Sequence, residues 1–360
     1  MKLIKKLLSS VTAIACSVSV MCGGAALLTA GADDTYGVFT YDIIDEDEDG
    51  TYDYVEITDC DESAVSVDIP AEINGLPVES IGSSAFYDCT SLESITIPDS
   101  VTSIEMWAFC SCTSLKSITI PDSVTNIRIC TFKDCTSLES VTLPAGVTSI
   151  ARYAFYGCTS LESITIPDGV TSITEYAFFR CENLKSVHIP DNTTSIETSA
   201  FCFCESLKSI TIPDSVTSIA DYAFDGCESL ESITILNTDC KIVMSGETIS
   251  SGYDDNSKAY YKGTIYGYAD STAQTYADEY NYKFLAINDY GVLGDADGDG
   301  KVTAKDASLM FSEFKRIYNS EPSTFTEEQM KRCDLNGDGK ITAIDVSKVF
   351  SIYKENYRRG

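Results

Sequence analysis

The chain repeats a unit of 23 residues through its middle, and this period constrains the fold more than any other feature. Three kinds of residue return at this interval in seven consecutive units. The cysteines are Cys89, Cys112, Cys135, Cys158, Cys181, Cys204 and Cys227; the leucines are Leu92, Leu115, Leu138, Leu161, Leu184, Leu207 and Leu230; the phenylalanines are Phe86, Phe109, Phe132, Phe155, Phe178, Phe201 and Phe224. A fixed period in the twenties indicates stacked supersecondary units, because one unit cannot bury its apolar side alone. We therefore predict a solenoid over residues 81–235.

Each unit contains a short strand with the pattern L-x-x-I-x-I, as in "LESITIP". Alternation along a strand directs Ile95 and Ile97 inward and Thr96 outward. Pro98 ends the strand because it lacks a backbone donor. These units resemble the leucine-rich repeats of BspA-like surface proteins, which implies a parallel β-sheet solenoid with a binding or adhesive role.

The cysteine column allows more than one interpretation. We favour small buried thiols, one per repeat. In-register side chains of parallel strands are close enough for a disulfide but rarely reach the required dihedral angle. No histidine or paired-cysteine motif accompanies the column, so a metal ladder is disfavoured. The redox state of the column stays open.

The repeats have distinct flanks, as the open ends of a solenoid require. We predict an N-terminal β cap over residues 33–80, in which "GVFTYDIID" and "YDYVEITDC" form a hairpin. A C-terminal cap is predicted over residues 236–290, where "TIYGYADSTAQTYADEYNYKFLAI" suggests a turn, a short helix and a last strand.

The chain has a net charge of -30, which disfavours nucleic acid and anionic membranes as partners. Residues 1–32 combine early lysines, an apolar stretch and "AGA", a pattern that predicts a signal peptide and secretion. The alternatives are a membrane anchor or a lipoprotein start at Cys16 or Cys22. Beyond residue 32 no apolar run of about 18 residues remains, so we expect no membrane span in the mature chain.

Two oxygen-rich stretches lie near the end of the chain, "DADGDGKVTAKD" and "DLNGDGKITAID". Each offers side-chain oxygens at positions 1, 3, 5 and 12, a glycine at position 6 and a backbone carbonyl at position 7. The predicted ligands are Asp295, Asp297, Asp299, Lys301 (carbonyl) and Asp306 in the first loop, and Asp334, Asn336, Asp338, Lys340 (carbonyl) and Asp345 in the second. Hard oxygen ligands at these offsets favour Ca²⁺ over Mg²⁺, so we predict two calcium ions.

Each loop precedes a helical pattern, "DASLMFSEFKRIY" or "DVSKVFSIYKENY", and "STFTEEQMKRC" forms a connecting helix. No helical pattern enters the first loop, and position 12 is Asp instead of Glu. This duplicated loop and exit helix, over residues 291–360, resembles a dockerin type I domain. The resemblance implies a cellulosome component that binds the cohesin module of a scaffoldin.

The same resemblance places the cohesin contacts at loop positions 10 and 11 and on the following helical turn. These residues are Ala304, Lys305, Ser308 and Leu309 in the first copy and Ala343, Ile344, Ser347 and Lys348 in the second. The copies differ at Leu309 and Lys348, which leaves the cohesin type and the binding orientation open. Helical spacing predicts that two matching sets of apolar residues form the core of the domain: Val302, Met310, Phe311 and Phe314, and Ile341, Val349, Phe350 and Tyr353.

A third acidic stretch, "DEDEDGTYDYVE" (Asp45–Glu56), also matches the calcium-loop pattern. Its exit residues are β-branched and alternate, which favours a hairpin turn over a loop followed by a helix. Whether it binds calcium stays open.

Little in the sequence indicates catalysis. His188 is the single histidine and replaces an outward threonine of the strand row. A regular solenoid offers no closed pocket in which two carboxylates would titrate differently, as a glycosidase requires.

An aromatic row at one repeat position, Trp107, Tyr153, Tyr176 and Tyr222, is a candidate surface for a polysaccharide, cell-surface or protein ligand. The alternative is that these rings cover the core at turns. The sequence thus predicts an α+β protein, with a solenoid followed by a small all-α calcium-binding domain, and a non-catalytic binding function. The alternatives are a structural spacer and a polysaccharide-degrading enzyme of unrecognised type.

Overall fold

The computed structural model describes residues 34–288, 291–337 and 339–359, so the predicted signal peptide lies outside the described residues. The strands are β1 (Asp34–Tyr36), β2 (Phe39–Ile44), β3 (Tyr54–Cys60), β4 (Ser66–Asp68), β5 (Glu72–Ile73), β6 (Leu76–Ile81), β7 (Ser94–Thr96), β8 (Ser103–Ile104), β9 (Ser117–Thr119), β10 (Asn126–Ile127), β11 (Ser140–Thr142), β12 (Ser149–Ile150), β13 (Ser163–Thr165), β14 (Ser172–Ile173), β15 (Ser186–His188), β16 (Ser195–Ile196), β17 (Ser209–Ile212), β18 (Ser218–Ile219), β19 (Ser232–Ile235), β20 (Lys241–Ile242), β21 (Gly252–Tyr253), β22 (Ala259–Tyr260), β23 (Thr264–Tyr268), β24 (Lys283–Asn288) and β25 (Gly291–Val292). The helices are α1 (Thr272–Tyr280), α2 (Ala304–Tyr318), α3 (Glu327–Cys333) and α4 (Ala343–Arg359). Within the described residues, no helix has the length and apolar character needed to cross a membrane.

The repeats form a parallel β-solenoid, as predicted. It has two rows of short parallel strands, of which only the first was predicted. One row consists of the S-I-T strands, where β9, β11, β13 and β15 pair in order. The other consists of two-residue strands such as β14, β16 and β18. Paired strands are in register, so each residue faces the same position of the next repeat, for example Ile118 and Val141. The 23-residue period of the sequence is therefore one turn of the solenoid.

The phenylalanine column forms the centre of the core. Every member from Phe86 to Phe224 is fully buried. Neighbouring rings stack with their centroids 5.1–5.6 Å apart and their planes within 18° of parallel. The leucine column is buried beside it. Each ring thus packs against a copy of itself above and below, which a single repeat could not provide.

The cysteine column consists of buried free thiols, which confirms the favoured interpretation. Each thiol from Cys112 onward donates to the phenylalanine carbonyl 26 residues earlier; Cys112 Sγ lies 3.1 Å from Phe86 O, and Cys158 Sγ lies 3.1 Å from Phe132 O. Burial raises the pKa of the fully buried column thiols Cys135, Cys158, Cys181, Cys204 and Cys227. Few thiols are therefore ionised near neutral pH, and they behave as small packing residues.

The N-terminal cap contains the predicted hairpin, because β2 and β3 pair antiparallel. Strand β3 then pairs parallel with β6, and β6 pairs with β8 of the repeats. Phe39 contacts Phe86 edge-on at 6.4 Å and so closes the first end of the phenylalanine column.

The C-terminal cap differs from the prediction at its start. "TIYGY" is strand β23, not a turn, because its alternating residues continue the solenoid sheet beside β19. The predicted helix and last strand are confirmed as α1 and β24. Helix α1 buries Tyr276 completely against the end of the core.

The tail contains the two exit helices and the connecting helix that were predicted. Its core includes Val302, Met310, Ile341 and Val349, all buried. Phe314 and Tyr353 are half-buried.

Phe311 and Phe350 were predicted in that core, and this prediction is wrong: their side chains are 42% and 40% exposed. Each follows a buried residue, Met310 or Val349, and one step along a helix turns a side chain by about 100° away from the buried face.

Replacing Phe155 by alanine is expected to lower the free energy of unfolding by about 3–5 kcal/mol, because it removes a buried ring from a closely packed column. Urea denaturation followed by circular dichroism measures this. Thr165→Ala, at an exposed position of strand β13, serves as the control and should change stability by no more than about 0.5 kcal/mol. Equal effects of the two substitutions would contradict the proposed role of the column.

Candidate functional site

The first oxygen-rich loop is organised around Asp295, which is almost completely buried. Its Oδ1 accepts from the backbone N–H groups of Gly298 at 2.7 Å and Asp299 at 3.2 Å, and its Oδ2 accepts from Gly300 at 2.8 Å. These bonds wrap the loop so that Asp295, Asp297 and Asp299 each offer an oxygen within 4.8 Å of the others. Gly300 has a φ of +79°, a conformation that L side chains rarely adopt. The loop therefore gathers three carboxylates on one side.

Asp306, the predicted ligand at position 12, lies outside this group and closes the loop. Its Oδ1 accepts from Ala296 N and Asp297 N, and its Oδ2 accepts from the backbone N–H and hydroxyl of Thr303 at 2.8 and 2.7 Å. Thr303 and Asp306 form the capping box of α2. Position 12 thus ties the loop to its exit helix.

The second loop has the same construction. Asp334 accepts from Gly337 N at 2.8 Å and Gly339 N at 2.6 Å. Asp345 accepts from Leu335 N at 2.9 Å and from the hydroxyl of Thr342 at 2.7 Å. Of the other predicted ligands, Asn336 donates its backbone N–H to Asp345 Oδ1 at 3.2 Å, and Lys340 has an exposed side chain. Asp338 lies outside the described residues.

The electrostatics of the first loop show a site that favours a cation. Burial raises the pKa of Asp295, and the charge of Asp306 acts in the same direction. The Lys305 ammonium lies 2.5 Å from Asp297 Oδ2, and its hydrogen bond lowers the pKa of that carboxyl. Three negatively charged carboxylates that offer only oxygen ligands match the preference of a hard divalent cation. The residues present therefore fit calcium.

The predicted cohesin-contact residues lie on the exposed sides of α2 and α4. Ala304, Lys305, Ser308, Ala343, Ile344, Ser347 and Lys348 are exposed, and Leu309 is half-buried. Phe311 and Phe350 continue the same exposed sides one turn later. The Lys315 ammonium lies 4.4 Å from the centroid of the Phe311 ring. Sequence spacing did not identify these two rings as surface residues, because each lies four positions after a buried residue, which is typical of a core position. Their matching positions in the two copies were the signal that could have indicated a shared surface role.

The segment that connects the two copies is held by a buried carboxylate. Glu313 on α2 accepts from Thr324 N at 3.0 Å and from Thr324 Oγ1 at 2.7 Å. Burial acts to raise the pKa of Glu313, but the hydrogen bonds from Ser323 and Thr324 outweigh it and lower the pKa below its ordinary value. Glu313 is therefore ionised at neutral pH and fixes α2 to the connecting segment.

The aromatic row of the solenoid lies at a turn with positive φ, between +56° and +63° at all four residues. Tyr153 and Tyr176 stack on each other, with centroids 5.0 Å apart and planes 7° from parallel. Trp107 and Tyr222 are 39% and 36% exposed. Because Tyr153 and Tyr176 cover one face of each other's ring, Trp107 and Tyr222 are the more accessible members of the row.

His188 is exposed, as its outward position in the strand row requires. It lies in a shallow hollow of about 380 Å³ over β13, β15 and β17, lined by strand serines and threonines. This face presents hydroxyl groups and one imidazole.

In the Asp45–Glu56 stretch, residues 45–53 join β2 to β3 and form the predicted hairpin connection, and the remaining residues begin β3. Asp45 accepts from Asp49 N and Gly50 N, in the manner of Asp295, and Asp45, Asp47 and Asp49 each offer an oxygen within 4.8 Å of the others. A strand, and not a helix, follows the loop.

Comparison with known proteins identifies both parts of the chain. The family model described as BspA type leucine rich repeat region (6 copies) matches residues 63–185 and 148–245. The chain belongs to the BspA-type leucine-rich repeat family. The model of the dockerin type I domain matches residues 293–350.

Two solved structures show how closely the BspA-type repeats resemble known solenoids. A leucine-rich repeat protein from Bacteroides ovatus ATCC 8483 is 30% identical, with 66% of this chain and 71% of that chain covered and a TM-score of 0.51. The T. pallidum leucine rich repeat protein is 29% identical, with 55% of this chain and 91% of that chain covered and a TM-score of 0.50. No curated protein matches the chain.

BspA-type repeats and dockerin domains are non-catalytic modules, and both suggest an extracellular or cell-surface protein. Dockerin type I domains bind calcium, and the presence of one implies a cohesin partner and a cellulosome context.

Glu313→Gln is expected to lower the free energy of unfolding of the dockerin by about 1–2 kcal/mol at pH 7, because an amide offers one acceptor oxygen in place of two. The folded-state pKa of Glu313 lies below its ordinary value, so its stabilisation is present above that value and is lost as the pH falls through the folded pKa. The difference from the wild type should therefore shrink as the pH falls below the ordinary glutamate pKa of about 4.3 and through the lower folded-state pKa. Hydrogen exchange of the α2 amides, corrected for the intrinsic exchange rate at each pH, measures this difference in stability between the variant and the wild type.

The matched control for this prediction is Glu328→Gln, an exposed carboxylate of α3. It should leave exchange in α2 unchanged at every pH. A Glu313→Gln effect that does not shrink as the pH falls below about 4 would contradict the role assigned to the charge.

Proposed function

We propose that the chain is a secreted, non-catalytic cellulosome component. Its tail binds the cohesin module of a scaffoldin in a calcium-dependent way, and its repeats bind a protein or carbohydrate. The observation that supports this best is the convergence of Asp295, Asp297 and Asp299 at the start of α2, within a segment that matches the dockerin type I domain. The proposal assigns residues 33–80 and 236–290 to the caps, 81–235 to the repeats and 291–360 to the dockerin.

The proposed metal sites hold two calcium ions, one per loop. The first would be held by Asp295, Asp297, Asp299, the carbonyl of Lys301 and Asp306. The second would be held by Asp334, Asn336, Asp338, the carbonyl of Lys340 and Asp345. A bound ion supplies the positive charge that clustered carboxylates need in order to stay close together. Because the core of the tail is small, the free energy of calcium binding contributes directly to its folding.

The proposed cohesin surface consists of the exposed sides of α2 and α4. In each copy, small residues at the start of the helix leave room for a partner, and one exposed phenylalanine stands one turn later. Burial of such a ring in a partner pocket is a frequent source of binding energy. Phe311 and Phe350 therefore join the residues taken from the dockerin resemblance.

For the repeats, the proposed ligand surface is the aromatic row, with Trp107 and Tyr222 as its more accessible members. An exposed ring can stack on a sugar or insert into a protein partner. The solenoid would then present the ligand surface while the dockerin attaches it to the scaffold.

Removal of calcium is expected to abolish cohesin binding by the full chain. Calorimetric titration against a panel of cohesin modules, in calcium and then in excess chelator, measures this. Readdition of calcium should restore binding, whereas magnesium alone should not. Full-strength binding in chelator would refute calcium dependence, and no binding to any cohesin in calcium would refute the proposed partner.

The double variant Phe311→Ala, Phe350→Ala is expected to weaken cohesin binding by about 100-fold or more, because two exposed rings leave the proposed interface. The single variants determine the orientation. If either copy can face the cohesin, each single variant changes affinity about twofold; if only one copy binds, one single variant accounts for most of the loss.

Ile129→Ala is the control for these variants, since Ile129 is 38% exposed but lies in the middle of the solenoid. It should bind cohesin like the wild type. Circular dichroism in calcium checks that the double variant keeps its helices. A folded double variant of unchanged affinity would exclude these rings from the interface.

A further inference from the structure

The solenoid and the dockerin are joined by paired strands. Strand β24, the last strand of the cap, pairs antiparallel with β25, the first strand of the tail, through Ile287 with Val292 and Asn288 with Gly291. The N–H of Leu293 also donates to the carbonyl of Ala286 at 2.8 Å. The predicted boundary at residues 290 and 291 therefore falls inside a hairpin ladder.

The two parts also share a hydrophobic core. Leu285 of β24 is 2% exposed and belongs to the cluster of Met310 and Val349. Tyr266 and Ile287 pack against the same cluster. The cap therefore supplies side chains to the tail, whose own apolar core is small.

Polar contacts at this joint reach the first calcium loop. The hydroxyl of Tyr266 on β23 donates to the carbonyl of Gly300 at 3.1 Å. The N–H of Gly300 donates to Asp295 Oδ2 at 2.8 Å. Gly300 is thus held by the solenoid cap through its carbonyl and by the first carboxylate through its amide. Asn288 adds a bond to the carbonyl of Lys331 at 3.1 Å, next to the second loop.

We propose that the C-terminal cap and the dockerin form one cooperative unit, in which Tyr266 is a positioning residue for the first calcium loop. Calcium binding then stabilises the last strands of the solenoid, and the folded cap in turn favours calcium binding, because the coupling between two linked equilibria is reciprocal. The joint also fixes the direction in which the repeats project from the scaffold. This inference rests on the proposed calcium binding of the tail.

Hydrogen exchange of the full chain, with calcium and with chelator, tests the cooperative unit. We expect calcium to slow exchange at least tenfold in β23 and β24 as well as in the tail. Strands β9–β13, far along the solenoid, are the internal control and should not change. Slowing confined to residues 293–359 would overturn the inference while leaving calcium binding intact. If calcium changes exchange nowhere, the proposed function itself fails.

Tyr266→Phe tests the positioning role, because it removes the hydroxyl and keeps the ring. Calorimetric titration of calcium into the full chain should show one of the two ions bound roughly 3- to 10-fold more weakly, the range expected for one lost hydrogen bond. The other ion should bind unchanged. Tyr318→Phe, at a tyrosine of α2 that is 79% exposed, is the matched control and should leave both affinities unchanged.

Two outcomes of this titration would overturn the role of Tyr266. One is a variant with wild-type affinity for both ions. The other is equal weakening of both ions together with a lower unfolding temperature in chelator, which indicates a general loss of stability. A wild-type chain that takes up no calcium would instead reject the proposed function.

Discussion

The stacking of each repeat on its neighbour is the constraint on which the rest of this structure depends. A unit of 23 residues has too little interior to fold alone, and its apolar residues become a core only when the next unit covers them. The phenylalanine rings make this explicit, since each lies parallel to the next at 5.1–5.6 Å. The thiols also depend on the neighbouring repeat, because each one from Cys112 onward donates to a carbonyl of the preceding repeat. Inward positions are consequently fixed by the stack.

Much of this could be predicted because the information is periodic. The columns of Phe, Leu and Cys determine the repeat, the strand and the inward residues without any knowledge of other contacts. The carboxylate cluster of the first loop could be predicted for a similar reason, since the offsets of Asp295, Asp297 and Asp299 define a local turn. Local spacing, however, does not determine how a helix rotates against its neighbours, and so Phe311 and Phe350 were assigned to the wrong side.

Contacts between distant segments were beyond the sequence analysis. Nothing near Tyr266 indicates that its hydroxyl meets Gly300, 34 residues later. A second role of Asp306, in closing the loop, could not be predicted for a related reason. A carboxylate at position 12 has the correct chemistry for a metal ligand, yet its oxygens accept four hydrogen bonds that join the loop to α2. Spacing identifies a candidate ligand, but only the surrounding donors determine how its oxygens are used.

The joint between the solenoid and the dockerin explains how the last repeat of the solenoid is covered. An open-ended stack exposes the core of its last repeat and the edge of its last strand. Here β24 covers the stack on one side and pairs with β25 on the other, while Leu285 is buried in the core of the dockerin. The dockerin is thus also the element that completes the fold of the solenoid. Under the proposed cooperative unit, a metal-dependent attachment module in this place connects the availability of calcium to the integrity of the last strands of the solenoid, which a flexible tether would not do.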